Sequence, residues 1–152
     1  MKIHVVCSQM PSHNASGYAI DVFYRLKALQ EMGFDPQLHL WFKDGEDNLL
    51  LEELCQDDAP ILFEGTATCS LLSHPKLRER RKFVRIHSIR SEYYRQLAHR
   101  HRWTLSALRY WRKSRDWRHF EKCLRHAEII CCITKADQQF FKDRSVYYSS
   151  FP

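Results

Sequence analysis

Apolar residues along this chain recur at two periods, and the two alternate. Ile3 to Ser8 is a short apolar run with β-branched residues that ends in a polar loop, Gln9 to Gly17, holding Pro11, Asn14, Ser16 and Gly17; it reads as a buried strand and a turn. From Tyr18 to Met32 the spacing changes: Ala19, Val22, Phe23, Leu26 and Leu29 recur every three or four residues, and Gly33 supplies a stop, which predicts a helix of about four turns. Gln37 to Phe42 alternates into a second strand before the charged turn Lys43 to Asp47, and Asn48 to Cys55 predicts a short helix. Pro60 to Gly65 reads as a third strand, Lys82 to His87 as a fourth, Glu128 to Ile133 as a fifth and Val146 to Phe151 as a sixth. Strands separated by helices imply right-handed βαβ units, so the expected fold is α/β, a mainly parallel sheet of about six strands covered on both faces.

The longest stretch without strand character, Ser91 to His126, predicts helix with a break near Trp103-Thr104. At 100° per residue, Trp103, Ala107, Tyr110, Ser114, Trp117, Phe120 and Leu124 share one face, and Arg112, Arg115, His119, Lys122 and His126 lie opposite. One face packs and the other is cationic, either as an ordinary solvated face or as a contact for an anion or membrane surface carried by Arg112, Arg115 and Lys122. Trp111 falls between the two faces and is expected to be exposed.

Charge sharpens this picture. The 152 residues carry a formal net charge of +6, but residues 1–75 hold 4 basic and 11 acidic side chains while residues 76–126 hold 17 and 4. The basicity therefore belongs to one segment and calls for an anionic partner without choosing it. No recognised nucleic-acid module is present and the tryptophans partly belong to a packing face, so nucleic acid is not the expected partner. Six cysteines form no CxxC pair, so neither a zinc knuckle nor a disulfide lattice is indicated. The first apolar run is too short for a secretory signal and no stretch reaches the ~20 apolar residues of a spanning helix, which points to a cytoplasmic protein with reduced thiols.

In open α/β sheets ligands bind beyond the carboxyl ends of the strands, so the residues just after each run are the candidates for chemistry. The first loop offers Ser12, His13, Asn14, Ser16 and Gly17 at a helix start, where free N–H groups favour an anion and Gly17 permits close approach, although no full phosphate fingerprint is present. After the third strand come Glu64, Gly65 and Thr66, with Glu64 either a site residue or a cap for the following helix. The fourth strand ends in Arg85-Ile86-His87, and alternation places Arg85 and His87 on one face and Val84 and Ile86 on the other. Ser91 is the expected N-cap of the helix that follows.

The Met1-Lys2-Ile3-His4 strand, the Tyr18 to Leu29 helix, Pro60-Ile61-Leu62-Phe63-Glu64-Gly65, the Val84 to Ile89 block, Tyr93-Tyr94, the long basic helix and Ile133 to Phe141 follow one another in an order that covers nearly the whole chain. In that order the chain resembles the N-terminal domain of bacterial GT-B retaining glycosyltransferases that build surface polysaccharides. The resemblance implies a Rossmann-like three-layer domain, one half of a GT-B architecture, as a single domain over 1–152, facing a cleft across from a donor-binding domain. It implies transfer of a hexosyl group from a nucleotide-sugar to a glycan or lipid-linked acceptor, with no cofactor and no essential metal. Carried over, His87 hydrogen-bonds the donor sugar or its phosphate, Gly17 and Ser16 approach donor phosphates or acceptor, and Arg85, Glu64, Gly65 and Thr66 shape the cleft. The family's Asn and Glu after the histidine are replaced by Ser88 and Arg90, which reverses a charge. One glycine stands in the first loop where a pair is usual, and the stretch from Phe42 to Leu49 is short by a strand and helix. The sequence closes at Phe151-Pro152, about where such enzymes pass into the donor domain, so a separate donor-domain chain is the expected partner and the domain alone is expected to be inactive. The other expectation is a non-enzymatic module that uses its basic segment on an anionic ligand or membrane.

Overall fold

The computed structural model describes residues 1–14, 16–41, 47–141 and 146–148. The fold is α/β with an all-parallel sheet flanked by helices, a Rossmann-like three-layer arrangement. Its strands are β1 (Lys2–Cys7), β2 (Asp35–Leu40), β3 (Ile61–Glu64), β4 (Lys82–Ile86) and β5 (Ile129–Cys132), with the three-residue segment β6 (Val146–Tyr148) paired outside β5. The sheet thus has about five full strands rather than six, the last being a short edge piece, and residues 149–151 of the expected sixth strand lie outside the described residues. The helices are α1 (Gly17–Glu31), α2 (Asp47–Leu54), α3 (Arg90–Arg100), α4 (Leu105–Glu121) and α5 (Lys135–Phe140). Two 3-10 helices, Thr66–Ser73 and Pro75–Leu77, link β3 to β4, a connection that the periodicity left unassigned.

The strand order is β2-β1-β3-β4-β5-β6. After β2 the chain crosses over β1 and continues on its other side, so the winding reverses between β1 and β3, and in such sheets the crevice at that reversal is where ligands bind. Local chemistry explains the elements. The Ser16 hydroxyl caps α1 by accepting from the Ala19 N–H, and Gly33, at φ +83°, turns the chain out of the helix. β2 begins two residues earlier than its alternation suggested and contains Pro36, which an edge strand tolerates because it has no neighbour on that side. Phe42, its expected last residue, lies outside the described ones.

Alternation along the strands divides the core. Val6, Phe63, Val84, Ile86, Ile130 and Cys132 pack on one face against Leu51 and Leu54 of α2 and against Leu71, Leu72, Leu77 and Leu124. Ile3, Val5 and Leu62 pack on the other against Leu26 and Leu29 of α1, with Phe83 alongside. On this second face the strands turn from apolar to charged as they run toward their carboxyl ends: Leu62 gives way to Glu64, and Phe83 to Arg85 and His87. That gradient places charge at the ligand edge.

At the β1–β2 side a linear chain of ring nitrogens runs through the fold. Asp57 Oδ1 lies 2.9 Å from His4 Nε2, His4 Nδ1 lies 2.8 Å from His39 Nε2, and His39 Nδ1 lies 3.0 Å from Glu53 Oε2. Only one proton fits between the two imidazoles; a second would set N–H against N–H. Burial, and then the neighbouring His4, hold the His39 pKa below the ordinary 6.5 against the opposing pull of Glu53. A histidine whose folded pKa is depressed binds its proton better when unfolded, so stability is fully present above about pH 6.5 and falls as pH drops through the folded value. The urea midpoint is expected to decline more steeply between about pH 7 and about pH 5.5 in the native protein than in His39→Gln; parallel pH profiles would remove His39 as the source.

Candidate functional site

The carboxyl ends of β1, β3 and β4 enclose a cleft of about 310 Å³. Ser8 and Gln9 follow β1, Gly65, Thr66 and Ala67 follow β3, and His87, Ser88 and Arg90 follow β4, while Tyr18 enters from the first turn of α1. Tyr18 ties two walls together: its hydroxyl donates to the Glu64 carbonyl at 2.8 Å and accepts from the Ser8 N–H at 3.3 Å. Its ring lies 4.9 Å, centroid to centroid, from that of His87.

Gly65 is required where it stands. Its backbone has φ 79° and ψ 162°, a region essentially closed to residues with a Cβ, and a Cβ there would sit 3.0 Å from Tyr18 Cε2. Gly65→Ala is expected to cost about 1–3 kcal/mol from backbone strain alone, and more from the displaced tyrosine. Gly33→Ala is the control, since Gly33 also has a left-handed φ but nothing lies within 4 Å of its would-be Cβ. Urea denaturation of both should show the larger loss at Gly65; equal losses would show that the Tyr18 contact is immaterial.

Beneath the cleft lies a compact charged cluster on the α1 face of the sheet. The Arg85 guanidinium, 3 % exposed, donates through Nη1 to Asp21 Oδ2 and through Nη2 to Asp21 Oδ1 at 3.2 Å, a bidentate pair. The same Nη1 lies 3.5 Å from Glu64 Oε2 and 3.2 Å from His87 Nε2. Arg25 Nε stands 3.7 Å from the other Glu64 oxygen. Glu64 is fully buried whereas Asp21 keeps partial access to water, so the two guanidiniums neutralise a Glu64 carboxylate that could not otherwise be held out of water.

Nε2 of His87 faces the Arg85 guanidinium, which can only donate, and also lies 3.4 Å from Asp21 Oδ2 and 3.7 Å from Glu64 Oε2, so the ring is held by the whole cluster. His87 lines the cleft beside this cluster. Asp21, Glu64 and His87 offer ligand-type atoms within 4.8 Å of one another, a spacing suited to a divalent cation, but Arg85 Nη1 stands among all three and supplies the positive charge itself. Burial pushes the Cys7 thiol up to about 11 and the Tyr18 phenol up to about 12, so neither provides a nucleophile at neutral pH. The cleft is equipped to bind and orient an anionic or hydroxyl-rich ligand.

Of the residues singled out from the sequence, His87, Arg85, Glu64, Gly65 and Thr66 converge here, with Thr66 buried at the head of the 3-10 helix. Glu64 is an ion-pair partner and not a helix cap, because the residue that caps the following helix is Gly65. Ser16 acts as the cap of α1 and reaches the cleft through Gln9, whose Oε1 accepts from its hydroxyl at 3.0 Å; Gly17 is exposed beside it. Arg112, Arg115 and Lys122 are exposed on and just after α4 and take no part in the cleft. Ser91 is not the N-cap of α3, which starts at Arg90 behind Ile89. Instead the Ser91 N–H donates to Glu121 Oε1 at 3.0 Å and its carbonyl accepts from Ser114 Oγ at 2.8 Å. A buried joint between α3 and α4 outweighs the local preference.

Asp21, Arg25 and Tyr18 were missed, although the sequence carries a signal. At 100° per residue Tyr18, Val22, Arg25 and Leu29 fall within about 60° of one another, so polar groups occupy the very stripe that must pack on the sheet. Among the described residues all six cysteines are free, with Cys132 in the core and Cys131 on the opposite, charged face. No described helix is long and apolar enough to cross a membrane. Comparison with protein-family models, with curated proteins and with solved structures gives no match, and the reading of this site rests on its own chemistry.

Proposed function

We propose that the cleft is the acceptor-side wall of a glycosyltransferase active site, which transfers a hexosyl group from a nucleotide-sugar to a glycan or lipid-linked acceptor. The observation that carries this reading is His87, set at the end of β4 in the cleft wall with Nε2 held over a buried ion cluster; in the proposed role its Nδ1–H donates to the ligand. Gly65 brings backbone close to the bound ligand, and Arg90 and Ser88 add a cation and a hydroxyl at the mouth. Arg90 suits the diphosphate of a departing nucleotide, whose developing charge is best stabilised by donors fixed before reaction. The wall facing it would come from a second Rossmann-like domain, in the same polypeptide or another. The reaction breaks the sugar–phosphate C–O bond, forms a C–O bond to the acceptor oxygen, and releases the acceptor's proton. Substrates of this kind place the protein in the cytoplasm, beside a membrane when the acceptor is lipid-linked.

The test is hexosyl transfer from UDP- and GDP-hexoses in the presence of a donor-binding domain. Turnover that requires both partners supports the assignment. Binding of an anionic ligand in the cleft with no turnover under any donor would instead make the domain a non-enzymatic binding module.

A further inference from the structure

Independently of the cleft's chemistry, we propose that the α3–α4 hairpin is a membrane-docking element whose tip inserts into the headgroup region of an anionic phospholipid surface. The hairpin is rooted beside the cleft, where Arg90 opens α3 and lines the mouth. Its closed joint is there too, because Ser91 bonds both Ser114 and Glu121 from the C-terminal half of α4. The two antiparallel helices therefore carry the turn at His101–Thr104 to the end away from that joint, about 16 Å along α3.

The hairpin completes its own packing without Trp103 or the exposed leucines of α4. Ala98 and Ala107 are buried between the helices, Tyr94 stacks on Tyr110 with centroids 6.3 Å apart, and His101 lies against Tyr110 at 5.6 Å. Outside this packing, four large apolar side chains within nine residues stand in solvent: Trp103 at 88 % exposure, Leu105 at 84 %, Leu108 at 69 % and Trp111 at 54 %. Trp103 was expected on the packing face of the long helix. It lies in the turn before α4, where a helical projection does not apply. Exposed arginines surround these residues: Arg100 ends α3, Arg102 lies in the turn itself, and Arg109, Arg112 and Arg115 follow on α4. Along one flank of α4, Leu108 and Trp111 share a groove of about 460 Å³ with Arg112, Arg115 and Arg118.

This combination selects its occupant. Tryptophan and leucine at a tip ringed by arginine match the boundary between acyl chains and phosphates, which offers an apolar phase and negative charge at adjacent depths. A second copy of the chain would bring arginine against arginine. A nucleic-acid backbone would satisfy the arginines and leave Leu105 and Leu108 in water. Lys122, the third basic residue expected to contact an anion, follows the last residue of α4, about 25 Å from Leu105, and stands outside the docking surface.

The experiment is co-sedimentation of the full chain with vesicles of phosphatidylcholine and of phosphatidylcholine mixed with phosphatidylglycerol, across a range of salt. The native protein should pellet with the anionic vesicles and release as salt rises. The pair Trp103→Ser/Leu105→Ser and, separately, the pair Arg109→Ser/Arg112→Ser should each lower partitioning about tenfold or more. All four positions are exposed, so circular dichroism and thermal midpoint should stay those of the native protein. Native protein that stays in the supernatant with both vesicle types would overturn the proposal, as would folded variants that bind as well as native. Self-association abolished by the Trp103→Ser pair would assign the tip to a second copy, and salt-sensitive oligonucleotide binding unaffected by the Trp103→Ser pair but lost with the arginines would assign it to nucleic acid; either result refutes docking on lipid.

Discussion

Arg85→Met is expected to destabilise the protein by about 3–5 kcal/mol, the cost of taking one of its two cations from the buried Glu64 carboxylate. Arg85 is 3 % exposed and Glu64 fully buried, and one guanidinium nitrogen serves Asp21, Glu64 and His87 together. Methionine fills much of the volume but leaves two negative charges facing Arg25 alone. In a domain of this size the thermal midpoint should fall on the order of 10 °C. The charge account makes a sharper claim about the pair. Arg85→Met/Glu64→Leu removes one charge of each sign and leaves Asp21 with Arg25, so the double variant should be more stable than Arg85→Met alone. Urea denaturation of the native, single and double variants measures this coupling. Additive losses would show that Arg85 and Glu64 do not act as a neutralising pair.

His87→Ala is expected to lower kcat for hexosyl transfer about a hundred- to a thousandfold, the usual loss when one preorganised donor to developing charge is removed. Folding should be little affected, by about 1 kcal/mol, because His87 is partly exposed and Arg85 keeps its pairing with Asp21 and Glu64 without it. The two variants thus separate roles that share one contact: Arg85 holds the cluster together, and the proposed role of His87 is toward the ligand. His87→Gln distinguishes donation from proton transfer, since an amide N–H can replace Nδ1–H as a donor but cannot act as a base. Partial rescue by glutamine is the expected result. A transfer rate unchanged in His87→Ala would remove the role assigned to His87.

How far the site could be read in advance depended on the range of each interaction. Alternation is local, so Arg85 and His87 could be placed on one face of β4, and Cys131 and Cys132 on opposite faces of β5, before any packing was known. Gly65 could be placed at a strand end because it directly follows an apolar run. Asp21 and Arg25 were out of reach of this reasoning. Arg85 and Asp21 are 64 residues apart, and only the crossover that lays α1 over the charged half of the sheet makes them partners. Ser91 failed as a cap because its backbone groups are claimed by Glu121 and Ser114 across the hairpin. Trp103 failed as a core residue because the helical projection was carried through a turn.

By itself, then, the sequence determined the alternation of strand and helix, the parallel sheet this demands, and the concentration of basic residues between positions 76 and 126, since hydrophobic period and charge are properties of neighbouring residues. Only the tertiary structure decided what those charges do. The reversal of winding between β1 and β3 opened the cleft, the placement of α1 turned Arg85 inward as the cation of a buried cluster, and the α3–α4 joint sent Arg102, Arg109 and Arg112 outward with Trp103 and Leu105. Burial separates the two groups. Inside, an arginine must meet carboxylates at contact distance or destabilise the fold; outside, water solvates its charge and leaves it able to meet a negatively charged surface.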